Sequence, residues 1–287
     1  MITQTQTTLS RTPMKIPRIG LGTWQMQGLT CEEAVTKALE IGYRHIDTAQ
    51  IYENEAEVGN AVAHSGLRRS EVFLTTKIWI DNVAAGVAQK SVEESLRKLK
   101  TDYVDLLLLH WPVKSIPLHK QIRALQAIQD WGMAKSIGVS NYPTNLLQQI
   151  IDDTDAEIVC NQVEYHPFLS QKPVLDFARQ HNMFVTAYCP LARGLIRTNP
   201  TILQIAGHHG KSAGQVALRW LIQQDNVVAI PKAANPLHIQ DNFNIFDFEL
   251  SADEMAAISA LANPEGRIVK PEWGPVWDED TTASQAA

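Results

Sequence analysis

Two rhythms of apolar and polar positions alternate along the chain. Short, nearly continuous apolar runs recur at 19–23, 45–48, 72–78, 104–110, 135–139, 158–164, 184–188 and 227–230. Several, such as the Val-Asp-Leu-Leu-Leu-Leu that opens at 104, leave no polar face, which is the pattern of a parallel strand covered on both sides. Between them the period lengthens. Ala34, Val35, Ala38 and Leu39 recur one turn apart, as do Val216, Ala217, Trp220 and Leu221, and Val92, Leu96 and Leu99 make a stripe with charges between. The punctuation agrees, with Gly42 placed to close the first helix and Asn141-Tyr-Pro143 placed to open a later one.

Strand–helix units repeated eight times build either a closed barrel or an open doubly wound sheet. An open sheet that binds a dinucleotide carries G-x-G-x-x-G after its first strand, because the glycines let the backbone approach a pyrophosphate. Here Gly20-Leu-Gly22-Thr-Trp-Gln25 has the first two glycines and lacks the third. The expected fold is therefore α/β, a (β/α)8 TIM barrel. It is expected as one domain over 1–287, with a short N-terminal extension, a helix at 253–261 and an irregular C-terminal tail.

Composition narrows the partners. The 287 residues carry a net charge of −6 with no basic stripe, which argues against nucleic acid. Cys31, Cys160 and Cys189 are odd in number and far apart, as reduced thiols in a cytoplasmic protein are. No secretory signal stands in residues 1–18, and no run approaches the ~18 apolar residues of a membrane span. The expectation is a cytoplasmic monomer with a small-molecule partner, no membrane and no metal. His208-His209 lacks a third ligand at metal spacing and reads as a solvated pair.

Catalytic groups of a parallel barrel stand at the C-terminal ends of its strands. Those positions hold Asp47, Lys77 and His110, with Tyr52 in the loop after the second strand. The grouping suits acid catalysis at a carbonyl. A phenol titrates near 10, too high for easy proton donation at neutral pH, and a neighbouring ammonium is expected to pull that value down. Asp47 would hold the lysine, and His110 would orient the substrate oxygen. Each residue taken singly is more often structural, and their joint placement leaves both roles open. Glu53 and Glu55 suggest a glycosidase pair, but they are neighbours in one loop, whereas such carboxylates come from separate elements. Asn54-Glu55 reads instead as a capped helix start.

The segments around these residues carry a resemblance. Gly42-Tyr-Arg-His-Ile-Asp47-Thr-Ala with Tyr52 and Asn54-Glu55, Leu74-Thr-Thr-Lys77-Ile-Trp79, and His110-Trp-Pro112 resemble the aldo-keto reductase family. So do Gly138-Val-Ser-Asn141, Asn161-Gln162-Val-Glu164, Ala187-Tyr188-Cys-Pro-Leu191 and Ile230-Pro-Lys232, in the family's order over roughly residues 16–242. The short 113–118 connection and the ending Arg267-Ile-Val-Lys-Pro-Glu-Trp273 are similar to the family's bacterial 2,5-diketo-D-gluconate and methylglyoxal reductases. The resemblance implies a barrel and NADPH-dependent reduction of aldehydes and activated ketones. It also implies a catalytic tetrad of Asp47, Tyr52, Lys77 and His110. Ser140, Asn141 and Gln162 would hold the nicotinamide amide, and Tyr188 would stack on the ring. Leu191, Lys232, His238, Asp241 and Asn242 complete the cofactor-binding set. Trp24, Trp79, Trp111 and Trp277 would wall the substrate pocket. A cofactor-binding barrel without turnover, as in some relatives, is the alternative.

The chain departs from the family pattern after its last strand. The residue following Lys232, usually Ser or Thr, is Ala233, and the usual arginine is His238. Arginine offers phosphate a permanent planar fork, whereas histidine carries charge only in mildly acidic solution. NADPH is therefore expected to be preferred through Lys232 alone, with NADH also accepted. His238→Arg should raise the NADPH-over-NADH ratio of kcat/KM about tenfold, the size of one charge-assisted hydrogen bond. An unchanged ratio would place His238 away from the 2′-phosphate.

Overall fold

Apolar runs without a polar face need cover on both sides, and the chain supplies it by closing its strands into a ring. The computed structural model describes residues 6–8 and 15–278. An antiparallel pair, β1 (Gln6–Thr8) and β2 (Lys15–Pro17), precedes eight parallel strands. These are β3 (Leu21–Gly22), β4 (His45–Asp47), β5 (Phe73–Ile78), β6 (Val104–Leu109), β7 (Ala134–Ser140), β8 (Ile158–Glu164), β9 (Phe184–Tyr188) and β10 (Val227–Ala229), hydrogen-bonded in sequence order. Ile19 bridges Ala229 and Gly22 bridges Lys232, so the last strand returns to the first and the (β/α)8 barrel closes.

Helices α1 (Gly28–Ile41), α2 (Glu55–His64), α3 (Val87–Leu99), α4 (Leu118–Asp130), α5 (Thr144–Asp153) and α6 (Lys172–Gln180) each link two neighbouring strands. α7 (Pro200–His209) and α8 (Ala213–Ile222) fill the next crossover, and α9 (Pro236–Phe243) and α10 (Ala252–Ser259) follow the last strand. Their apolar stripes pack on the outside of the ring, where Val92, Leu96 and Leu99 of α3 and Val216, Ala217 and Trp220 of α8 join the main core. Gly42 closes α1 as its sequence position suggests, at φ 125° with its N–H on the Ala38 carbonyl. No helix among the described residues is long and apolar enough to cross a membrane.

The inside of the ring has two levels. Phe73, Leu106, Leu108, Phe184 and Val228 form a separate apolar cluster, closed by Ile16 of β2. The N-terminal extension therefore contains an antiparallel strand pair whose β2 stoppers the barrel, which three-residue strands in a polar stretch do not announce. Side chains alternate along a strand, so the inward rows continue upward at every second residue. There they turn polar: Phe73 leads through Thr75 to Lys77, His45 to Asp47, Leu108 to His110, and Cys160 to Gln162. An apolar floor thus carries a buried polar head at the C-terminal rim.

The helical layer sits close to its neighbours at Gly59 of α2. A Cβ there would fall 2.4 Å from the Lys98 carbonyl oxygen and 2.7 Å from the Leu99 carbonyl carbon, both backbone atoms that cannot swing away. Gly59→Ala should lower the stability by about 1–3 kcal/mol, the usual cost of overpacking. Urea unfolding should show it as a lower midpoint with an unchanged slope.

Candidate active site

Three strand ends and one loop converge on the polar head. Asp47 ends β4, Lys77 lies next to the end of β5, and His110 follows β6. Tyr52 is carried by a single 3-10 turn, Gln50–Tyr52, that needs outside support to stay in place. Gln50 provides part of it, accepting from the Trp79 N–H at 2.9 Å and from Asn82 Nδ2 at 2.9 Å. Gln27 Nε2 donates to the Tyr52 carbonyl at 2.7 Å. Asn54 does the rest. Although it precedes α2, its side chain caps nothing and instead donates to the carbonyls of Thr23 (2.8 Å) and Met26 (2.9 Å) while accepting from Thr48 Oγ1. The capping role expected of Asn54 is thus replaced by a tie across the loop.

Lys77 Nζ donates to Asp47 Oδ1 at 2.5 Å, to the Thr48 carbonyl at 2.9 Å and to the Tyr52 hydroxyl at 3.4 Å. The second oxygen of Asp47 accepts from Gln162 Nε2 at 2.8 Å. Burial alone would lower the lysine, but Asp47, with the Tyr52 oxygen, reverses that and holds the ammonium above its ordinary value. Tyr52 goes the other way from expectation. Burial raises the phenol, Asp47 raises it too, and Lys77 only partly offsets them, so the net direction is upward. The phenol keeps its proton throughout the neutral range. His110 lies edge-on to Tyr52 (5.6 Å between centroids) and to Trp79 (5.2 Å). Burial, then the charge of Lys77, lowers it well below the ordinary histidine value, so the imidazole is neutral. A neutral ring offers one donor and one acceptor, and His110 Nδ1 has no protein partner. A carbonyl oxygen between Tyr52 and His110 would meet a protonated phenol and a neutral imidazole, with a fixed positive charge behind them.

The residues expected around a nicotinamide are joined to this head. Ser140 Oγ donates to the Gln162 carbonyl (2.8 Å), and Asn141 Nδ2 donates to the His110 carbonyl (3.0 Å) and to Ser140 Oγ (3.1 Å). The Tyr188 hydroxyl donates to Asn141 Oδ1 at 2.8 Å. Asn141 reaches these partners from a left-handed backbone, φ 66°, which asparagine tolerates better than most residues. The rest of the expected set stands apart from the network. Leu191 is half-buried before the 3-10 turn Ala192–Thr198; Lys232 is exposed at the barrel seam; and α9 exposes His238 and Asp241 while burying Asn242.

The tryptophans divide in the same way. Trp79 and Trp111 stand beside the head, and Trp273, absent from the expected wall, meets both edge-on at 6.2 Å and 5.1 Å. Trp277 is 4% exposed, packed behind Trp111 with the Arg267 guanidinium 3.8 Å from its ring centroid. Trp24 lies under Arg193, with 5.7 Å from guanidinium to ring. Trp273 was legible only as part of the matched ending, since nothing in its spacing marks a wall. Elsewhere, Glu55 is buried and accepts from Thr76 Oγ1 (2.6 Å), while Glu53 is exposed, so the two do not face a common gap. His209 pairs with Glu254 at 3.0 Å rather than standing solvated. No cluster that could hold a metal is present among the described residues.

Comparison with known proteins shows the family and the fold. The model of the aldo/keto reductase family matches residues 18–263. Methylglyoxal reductase DkgB of Yersinia pestis is 42% identical over 92% of this chain and 100% of its own. A crystal structure assigned as 2,5-diketo-D-gluconic acid reductase B is 46% identical and superposes with a TM-score of 0.93, covering 96% of this chain and 99% of that one. The Bombyx mori aldo-keto reductase in complex with NADP is 31% identical, with a TM-score of 0.88 over 96% of this chain and 99% of that one.

The buried pair makes a stability prediction. Lys77→Met leaves the Asp47 carboxylate without its counter-charge and should cost about 3–5 kcal/mol. Adding Asp47→Asn removes the orphaned charge while keeping an oxygen for Gln162, and should recover more than half of that loss in urea unfolding. A double variant no more stable than Lys77→Met would mean that Asp47 is not the charge the lysine neutralises.

Proposed function

The chain belongs to the aldo/keto reductase family, and from that premise we propose that it reduces small aldehydes and activated ketones of the methylglyoxal or 2,5-diketo-D-gluconate type with NADPH, Tyr52 giving the proton. The observation that carries this reading is the Tyr52 hydroxyl 3.4 Å from the buried, Asp47-paired Lys77 ammonium and edge-on to His110, where burial raises the phenol and lowers the imidazole.

The residues present fit the cofactor. Gln162 spends its Nε2 on Asp47, which leaves Oε1 as an acceptor, and Asn141 Oδ1 keeps a lone pair beyond the one used by Tyr188. Two acceptors on one shelf suit a carboxamide NH2, and the half-buried Tyr188 ring gives a planar group something to stack on. Lys232 is exposed and forms no ion pair among the described residues, as a cation awaiting phosphate would. Bound NADPH would supply the hydride to the carbonyl carbon. The chain's own residues do the remainder. His110 donates to the carbonyl oxygen and fixes its direction. Tyr52 Oη gives that oxygen its proton as negative charge builds there. Lys77 stabilises the phenolate left behind, and Asp47 with Gln162 keeps the ammonium aimed. Trp79 and Trp111 keep water from the reacting carbonyl. Three thiols outside any disulfide support a cytoplasmic setting.

The test is NADPH oxidation with methylglyoxal, 2,5-diketo-D-gluconate and aromatic aldehydes, in wild type and in Tyr52→Phe. Wild type should turn over at least one of these carbonyls. The variant should lose at least ~100-fold in kcat, the low end for general acid catalysis, and bind NADPH as before. A variant keeping a tenth of wild-type kcat, with chemistry rate-limiting, would remove Tyr52 from the role of acid.

A further inference from the structure

Glu164 ends β8, two residues beyond Gln162 on the same inward row, and its side chain is fully buried. Burial pushes its carboxyl up, but hydrogen bonds from His166 and from the backbone of Ile268 and Val269 outweigh it and hold the group below the ordinary glutamate value. It is therefore a carboxylate that only accepts. Oε1 takes the Ile268 N–H at 2.7 Å and His166 Nε2 at 2.9 Å, and Oε2 takes the Val269 N–H at 2.7 Å. Two successive backbone donors need two acceptors side by side, which a carboxylate supplies and a carboxamide does not.

The segment pinned here has no helix or strand of its own from Arg267 to Trp277, so its course depends on such contacts. Lys114 Nζ donates to the Gly274 carbonyl at 3.1 Å, and the far end is fixed where Asp278 Oδ1 accepts from Thr144 N (3.1 Å) and Thr144 Oγ1 (2.6 Å). Between these pins lies Trp273, 46% exposed, edge-on to Trp79 and Trp111. Trp79 in turn meets His110. A carboxylate buried in the barrel rim is thus linked through the strap to the outer wall of the pocket.

We infer that Glu164 is a positioning residue that sets the range of carbonyls accepted: by rooting the strap it holds Trp273 as a fixed apolar wall against which bulky aromatic carbonyls bind. The inference rests on the carbonyl-reductase reading above. A substrate too small to reach Trp273 gains nothing from that wall, so the effect is a change of preference rather than a general loss.

The experiment compares kcat/KM for 2-naphthaldehyde over methylglyoxal, with NADPH, in wild type, Glu164→Gln, Trp273→Ala and the double variant. Glu164→Gln should lower that ratio about tenfold, the size of one lost charge-assisted hydrogen bond, and mainly through KM for the aromatic aldehyde. Trp273→Ala should lower it at least as far, and the double variant should lose no more than Trp273→Ala alone, because one acts through the other. Losses that multiply in the double variant, or an unmoved ratio in Glu164→Gln beside a lowered one in Trp273→Ala, overturn the inference. Hydrogen exchange in the wild-type protein gives a reading that needs no variant to fold. The Ile268 and Val269 amides should exchange slowly, and fast exchange there overturns the anchor. Should wild type reduce neither of these carbonyls nor 2,5-diketo-D-gluconate, the proposed function falls, and the exchange measurement still decides whether Glu164 holds the strap.

Discussion

An ammonium with no exposure to solvent sits at the head of this barrel, and most of what surrounds it follows from the need to keep it there. Removing a charge from water costs several kcal/mol even after relaxation, and the cost is met only by a close counter-ion and full hydrogen bonding. Asp47 supplies the first, and the Thr48 carbonyl and Tyr52 hydroxyl complete the second. The carboxylate has the same problem, and Gln162 answers it from the opposite side of the ring. Four strands or strand loops are thereby committed to one pair of charges.

That commitment dictates the loop geometry as well. Tyr52 can share the ammonium only if a turn with no buried apolar residue of its own is held from outside, and this falls to Gln50, Asn54 and Gln27. Asn54 is fully buried with its amide donors on two carbonyls and its oxygen on a hydroxyl, a satisfied polar group that fixes a loop as firmly as packing fixes a helix. The apolar floor below, stoppered by Ile16, keeps water from reaching the pair from the other end of the barrel.

How far the sequence discloses this depends on the length scale of each interaction. The eight strands were legible because burial on both faces writes a continuous apolar run, and Asp47, Lys77 and His110 were legible because strand ends are where a parallel barrel exposes chemistry. Contacts between distant segments left no such mark. The Gln162–Asp47 bond joins residues 115 apart, and Gln162 alone reads only as a polar residue in a strand. Trp273 belongs to an irregular tail whose path is set by Glu164 and Thr144, not by any periodicity. Asn54 looked like a cap because its neighbours begin a helix, but the side-chain oxygen a cap would use accepts from the Thr48 hydroxyl instead. The direction of the Tyr52 shift was missed for a related reason: the neighbouring lysine is visible in the sequence, whereas the depth of burial that outweighs it is a property of the closed barrel.

The raised phenol changes how the head does chemistry under the proposed reading. A phenol pulled toward neutrality would be a better acid but would spend part of its time as phenolate, unable to donate. Here burial keeps it loaded, and the charge balance is arranged so that help arrives when it is needed. Lys77 and Asp47 cancel, His110 is neutral and Tyr52 is neutral, so the resting head carries no net charge. Negative charge developing on a carbonyl oxygen, and then on the phenol, finds Lys77 already in place within a water-poor site, where an oriented ammonium acts more strongly than it would in solution. Under that reading the lysine offsets part of the burial that raises the phenol and stabilises the charge that appears during proton transfer. Asp47 and Gln162 matter because an ammonium free to turn toward another carbonyl would not be waiting at 3.4 Å from the phenol when that charge forms.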